Sequence, residues 1–258
     1  MVRGLVVFRE HFAGHTDQFV LIGGTAATLA MQEAGLEFRA TKDLDIVLHI
    51  EALSQSFGAV FWRFVEAGGY EIRQASDTGK PVFYRFQKPA DERFPAMLEL
   101  FCRAPDGIKI SEDSRLTPVP IDDAAASLSA ILLDDTYYEF ILAGRKGGDG
   151  LPWVGEDRLI PLKACAWLDL SERHAKGDPV DSKNVRKHAN DVLRLSQLLT
   201  PDVRIVVASR IAQDLQRFLD GIESDRSMDP KSLGINSSVA ELVDRIARAY
   251  GLNRRRPT

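Results

Sequence analysis

FVLIGGTAATLAMQEAGLEFRATKDLDIVL, residues 19–48, sets out a strand, a glycine turn, a helix and a second strand in succession. The apolar run Phe19–Ile22 stops at Gly23-Gly24, the pattern of a buried strand closed by a turn. Thr25 opens an Ala-rich segment through Ala34, and Gly35 stands where a helix C-terminal cap belongs. Asp43-Leu44-Asp45-Ile46-Val47-Leu48 begins by alternating and ends wholly apolar. As a strand it places Asp43 and Asp45 on one face, because side chains repeat every second residue.

Two carboxylates side by side repel one another unless something cationic lies between them. Aspartate oxygens suit Mg²⁺, which keeps several waters and takes one or two carboxylates together with substrate phosphates. The glycines supply the complementary half. A helix that starts at a Gly-Gly turn offers backbone N–H groups and the positive end of its dipole to a phosphate, and no Cβ blocks the approach. The stretch thus proposes phosphates at Gly23, Gly24 and Thr25 and metal at Asp43 and Asp45. The plainer alternative is an ordinary strand-to-helix turn beside two aspartates that solvate a strand entrance.

Gly23-Gly24-Thr25, a spacer of 17 residues and Asp43-Leu44-Asp45-Ile46-Val47 resemble the signature of the DNA polymerase beta-like nucleotidyltransferase superfamily. There a Gly-Gly or Gly-Ser turn precedes a strand bearing Asp-x-Asp. The run Arg39-x-Thr41-x-Asp43-x-Asp45 is similar to bacterial members of the AbiEii toxin-like and minimal nucleotidyltransferase branches. Thr25 stands where Ser is common, with a hydroxyl able to do the same work. The resemblance implies an α/β (α+β) nucleotidyltransferase core, with a small mixed β-sheet flanked by helices, over residues 1–155 and a helical C-terminal domain over 156–258. It also implies an NTP substrate bound at Gly23, Gly24, Thr25, Arg39 and Lys42, and Mg²⁺, as one ion or two.

The N-terminal residues 1–18 suggest a helical lead-in, with Leu5, Val6, Phe8 and Phe12 as its apolar stripe. Leu53, Phe57, Val60, Phe61, Phe64 and Val65 recur at helical spacing within Glu51–Ala67, a core stripe that ends at Gly68-Gly69. Tyr70–Gln74 and Val82–Phe86 are expected as strands joined by a polar turn around Asp77, Gly79 and Pro81. Ala96–Cys102 is a further apolar strand broken by one charge, Glu99, and a carboxylate there needs a partner. In the resembling superfamily a third carboxylate often arrives on a neighbouring strand, completes the metal site and accepts a proton from the attacking hydroxyl, and Glu99 is placed in that role, although several AbiEii-like proteins do without one. The alternative is an edge-strand glutamate that faces solvent or an arginine such as Arg85. Asp122–Leu133 is expected to be helical, Thr136–Leu142 a strand by β-propensity, and Gly144–Gly150 a surface loop that lacks the Gly-Lys-Ser/Thr ending of a P-loop.

From about Glu156 the pattern is helical. Leu159, Leu162, Ala166 and Leu170 repeat at helical spacing and enclose Lys163. The AbiEii-like resemblance implies a lysine here that faces the active site, where it would neutralise phosphate charge; a lysine can equally snorkel to solvent. The same resemblance implies an aspartate on the following helix: Asp191, in the amphipathic stretch Val185–Leu199, would orient Lys163 or Arg173 or bind the acceptor, or else form a surface pair with Lys187. Thr200-Pro201 is expected to start another helix, and Ser238 with Glu241 a capping box for the last one.

The 37 Asp and Glu against 33 Lys and Arg give a net charge of -4, so no global basic field draws nucleic acid. The local exception is Arg173–Arg194, with six Lys or Arg against three aspartates, the candidate surface for an RNA acceptor. Cys102 and Cys165 form no CxxC, which points to a reduced, cytoplasmic setting. No apolar run has membrane-span length. The AbiEii-like resemblance implies a toxin of a toxin–antitoxin pair, acting on RNA, tRNA above all, with an antitoxin protein as partner. Two other readings stand beside it. One is an antibiotic-type nucleotidyltransferase acting on a small molecule, although the Trp that often follows the glycines there is Thr25 here. The other is a catalytically silent binding or regulatory module.

Overall fold

A computed structural model describes residues 2–74, 81–105, 116–119, 129–148 and 150–253. They gather into two compact units, Met1–Leu29 with Arg39–Val154, and Ala30–Phe38 with Gly155–Thr258. No helix among them is long and apolar enough to cross a membrane.

The first unit runs α1 (Leu5–His11), β1 (Phe19–Ile22), α2 (Gly23–Glu33, whose last residues group with the second unit), β2 (Asp43–Leu48), α3 (Gln55–Gly68), β3 (Glu71–Gln74), β4 (Pro81–Gln87), β5 (Met97–Cys102), β6 (Leu116–Pro118), β7 (Ser129–Leu132), α4 (Asp135–Ala143), β8 (Arg145–Gly148) and β9 (Leu151–Val154). The described strands form one mixed sheet in the order β3-β4-β5-β2-β1-β9-β8, with β7 between β5 and β6. β2 is central: antiparallel to β1 on one side and parallel to β5 on the other. That position explains its apolar second half, since Ile46, Val47 and Leu48 are all buried.

The core on the α1 and α3 side is aromatic. Phe8 of α1, Phe12 directly after it, and Phe57, Phe61 and Phe64 of α3 pack with Phe19 of β1 and Phe86 of β4, all nearly inaccessible. Ser54 caps α3 by accepting the Phe57 N–H, and Gly69, at φ 61°, ends it. That left-handed position is one a glycine occupies at little cost. Val6, expected in the α1 stripe, is 40% exposed; Leu5 and Phe8 carry the buried face.

Three expectations for this unit are corrected. Thr136–Leu142 is helical, not a strand: Asp134 accepts the Thr136 N–H at 3.0 Å, and Tyr137, Tyr138 and Ile141 fall on one buried helical face. A helix cap and that spacing outweigh aromatic β-propensity. Ser129–Leu132 is a strand within the stretch read as a helix, because β5 and β6 offer it partners on both sides; residues 122–128 of that reading lie outside the described residues, as does the 75–80 turn. Gly144–Gly150 is not a loop throughout. Arg145–Gly148 pairs antiparallel with β9 as a hairpin.

The second unit is helical: α5 (Glu156–Ala175), α6 (Ser182–Leu195), α7 (Ser209–Ser224) and α8 (Val239–Ala249). Pro161 lies inside α5. A proline there removes the N–H that would bond the carbonyl four residues back, and the Tyr250 hydroxyl donates to that carbonyl, Asp157 O, at 2.8 Å. The expected capping box is present at α8. The helix expected from Thr200-Pro201 begins only at Ser209. Val203, Ile205, Val206 and Val207 are β-branched and poor in a helix, and the Ile205 N–H bonds Ala249 O at 2.8 Å instead.

Candidate functional site

The helix after β1 starts at Gly23 itself, two residues before Thr25. Gly23 is in the left-handed region at φ 67°, and a Cβ built on it would stand 1.7 Å from Asp45 Oδ2. Only glycine allows the Asp45 carboxylate to lie against the first turn of α2. At Gly24 a Cβ would meet Thr41 Oγ1 at 2.6 Å and Arg39 Nη2 at 3.6 Å. The glycine turn, Asp45, Thr41 and the Arg39 guanidinium therefore converge at the helix N-terminus. The first-turn N–H groups there have no partner within their own helix.

Thr25 takes a different part from the one expected. Its side chain is fully buried, and its hydroxyl donates to the Asp43 carbonyl at 2.8 Å. The hydroxyl thus ties α2 to the start of β2, and what Thr25 can offer a phosphate is its backbone N–H. Lys42 is exposed, with its carbonyl accepting the Ala96 N–H at 2.9 Å.

Asp43 and Asp45 are half-buried while Leu44 between them is buried, the alternation expected of a strand with one polar edge. The register carries the pattern across the sheet. Ile22 pairs with Asp45, Asp45 with Glu99, and Glu99 with Arg85. Residues paired directly on neighbouring strands project on the same face, so β1, β2, β5 and β4 present Ile22, Asp45, Glu99 and Arg85 as one row. Glu99 thus stands beside Asp45, but Arg85 Nε bonds its Oε1 at 2.6 Å and Arg85 Nη2 bonds the same oxygen. Among the described residues no group of three or more His, Cys, Asp or Glu side chains is placed to hold a metal ion. Asp43 and Asp45, two half-buried carboxylates on one strand face, are oxygen donors of the type Mg²⁺ takes.

Lys163 and Asp191 belong to the second unit. Lys163 is 5% exposed and Asp191 fully buried, with Lys163 Nζ 2.8 Å from Asp191 Oδ2. Arg194 Nη1 lies 3.9 Å from the other oxygen. Asp191 is therefore the partner of Lys163, while Arg173 pairs with Asp178 and Asp169. Lys163 neither snorkels nor leaves Asp191 on the surface with Lys187. The basic stretch Arg173–Arg194 is partly neutralised, since Lys176 also pairs with Glu172, at 2.7 Å.

Sequence reasoning left Thr41 without a role; its spacing of two from Asp43 was the available signal, because it continues the aspartate face backwards by one step.

No protein-family model matches the chain, and no curated protein matches it. Among solved structures it is similar to an antigenic nucleotidyltransferase-like protein from Paracoccidioides brasiliensis, at 14% identity over 93% of this chain and 91% of that one, with a TM-score of 0.40. It is also similar to JHP933 from Helicobacter pylori, at 16% identity over 94% of this chain and 85% of that one, with a TM-score of 0.34. These likenesses are loose, and what the site can do follows from its own residues.

Proposed function

We propose that this chain is a nucleotidyltransferase, passing a nucleotidyl group from an NTP to an acceptor hydroxyl, with the α–β phosphoanhydride bond broken and pyrophosphate and the hydroxyl proton released. One observation supports the reading above the others: Asp45 Oδ2 occupies the place of the missing Gly23 side chain. A phosphate site and a divalent-cation site must lie within one triphosphate of each other, and this contact sets the glycine turn and Asp45 side by side.

The backbone N–H groups of Gly23, Gly24 and Thr25 and the Arg39 guanidinium bind the phosphate oxygens, with Arg39 supplying charge-assisted bonds. Asp43 and Asp45 would hold Mg²⁺, which supplies Lewis-acid stabilisation of charge on the transferring phosphoryl oxygens. Thr25, by tying α2 to the Asp43 carbonyl, fixes the distance between the phosphate half and the carboxylate half.

The acceptor in this reading is RNA, tRNA foremost, with the chain as the toxin of a pair and an antitoxin protein as its partner. A small cationic acceptor is the second reading, favoured by the net charge of -4 and by the ion pairs that Arg173 and Lys176 already make.

The test is label transfer. Purified protein receives each α-labelled nucleoside triphosphate with Mg²⁺ and total bacterial tRNA, beside the Asp43→Ala/Asp45→Ala variant. Label on RNA from the wild type alone is the expected result. Nucleotide binding that needs both aspartates, without label on RNA, moves the acceptor to small molecules. Full transfer by the variant overturns the reading, and neither label nor binding by the wild type leaves a silent module.

A further inference from the structure

Three carboxylates in one corner of a sheet would ask for two positive charges or more. Here the third is already matched from inside the protein. Glu99 is 8% exposed, so water competes little for its oxygens. Arg85 directs Nε and Nη2 onto Oε1 alone, and charge-assisted bonds of this kind are about twice as strong as neutral ones. The strand register fixes the pair, because Arg85 and Glu99 are direct partners between β4 and β5. Moving Glu99 toward a cation beside Asp45 would leave the guanidinium uncompensated in a partly buried position, with its side chain 29% exposed.

The geometry points to Arg85 as a positioning residue that withholds Glu99 from the metal, so that the cation site of this chain is built by Asp43 and Asp45 without a third carboxylate. The inference rests on the reading of those two aspartates as metal ligands. It departs from the expectation that Glu99 is the third ligand. It agrees with the absence, among the described residues, of any three-group metal cluster. Two carboxylates are enough for Mg²⁺ when phosphates complete its shell. Glu99, held by Arg85, contributes a fixed neutral pair that borders the site on the β5 side.

The probe is Mn²⁺ alone, titrated into the full chain without nucleotide and followed by the paramagnetic signal of the free ion and by calorimetry. Asp45→Asn weakens binding roughly tenfold or more; this arm tests the aspartates by themselves. Arg85→Gln/Glu99→Gln removes the pair with no change in net charge and leaves Mn²⁺ affinity as in the wild type. Arg85→Gln alone releases Glu99 beside Asp45 and tightens binding roughly tenfold. A double variant that loses as much affinity as Asp45→Asn makes Glu99 a ligand and overturns the inference. An Arg85→Gln protein that binds no more tightly than the wild type also overturns it, and this arm stands even where the double variant fails to fold. A wild type that binds no Mn²⁺, or an Asp45→Asn protein that binds normally, overturns the metal reading of the aspartates, a result distinct from either of those.

Discussion

Asp45 and Gly23 share one space: the carboxylate oxygen Oδ2 lies 1.7 Å from where a Gly23 Cβ would be. Gly23→Ala must therefore displace the aspartate as well as hold alanine at φ 67°. The backbone cost alone is about 1–2 kcal/mol. The variant is expected to lose both thermal stability and Mn²⁺ affinity. Gly14→Ala, where a Cβ meets nothing within 4 Å, is expected to change neither. Calorimetric melting and Mn²⁺ titration of the two proteins side by side decide it.

Thr25→Val keeps the shape of the side chain and removes the hydroxyl that donates to the Asp43 carbonyl at 2.8 Å. Leaving that carbonyl without its partner costs about 1–3 kcal/mol, read as a lower urea midpoint at unchanged slope. Thr25→Ser keeps the donor and is expected to retain the metal affinity that Thr25→Val weakens. Equal metal affinity in the two variants would separate Thr25 from the geometry of the aspartates.

Tyr250 is a further case of a hydroxyl assigned by the backbone. Burial above all, with the Asp157 and Glu156 charges adding to it, pushes its phenol well above the usual range. The protonated phenol donates to the Asp157 carbonyl at 2.8 Å. Tyr250→Phe leaves the Asp157 carbonyl, already without its helical N–H because of Pro161, with no hydroxyl to accept. A loss of about 1–3 kcal/mol is expected. In Pro161→Ala, which restores an N–H at that turn, the added effect of Tyr250→Phe should shrink, and a double-mutant cycle by urea denaturation measures the difference.

Removing one partner of the buried Lys163–Asp191 pair leaves the other charge without its closest counter-ion. Asp191→Ala is expected to cost about 3–5 kcal/mol, and Lys163→Met/Asp191→Leu far less. Equilibrium unfolding of both variants checks the order; a single variant as stable as the double one would refute it.

The parts of the fold legible in the chain were those in which local chemistry and tertiary partners agree. Phe19–Ile22 and the Ser238–Glu241 box each carry their own signal and fold as it says; the α3 stripe does so from Phe57 onward, while Leu53 precedes the Ser54 cap and is only half-buried. Thr136–Leu142 misled because aromatic residues serve a strand and a buried helical face alike, and the deciding residue, Asp134, lies just outside the segment. Ser129–Leu132 is a strand through its partners on β5 and β6, which no local reading supplies. At the candidate site, the residue types and the shared aspartate face were visible in the spacing. What spacing could not give was lateral: that Glu99 falls level with Asp45, and that Arg85 falls level with Glu99.

Asp43 and Asp45 belong to a central strand, whereas residues 34–37, which join α2 to the run before β2, are all exposed. The two halves of the candidate site are thus linked by an exposed tether and not by a fixed count of residues. Lengthening that tether leaves the carboxylates where β1 and β5 put them. A single residue inserted between Asp43 and Asp45, in contrast, would send them to opposite faces. Distant kin of this chain are therefore best sought with a pattern that lets the gap after the glycines vary and holds the odd–even parity of the aspartates fixed.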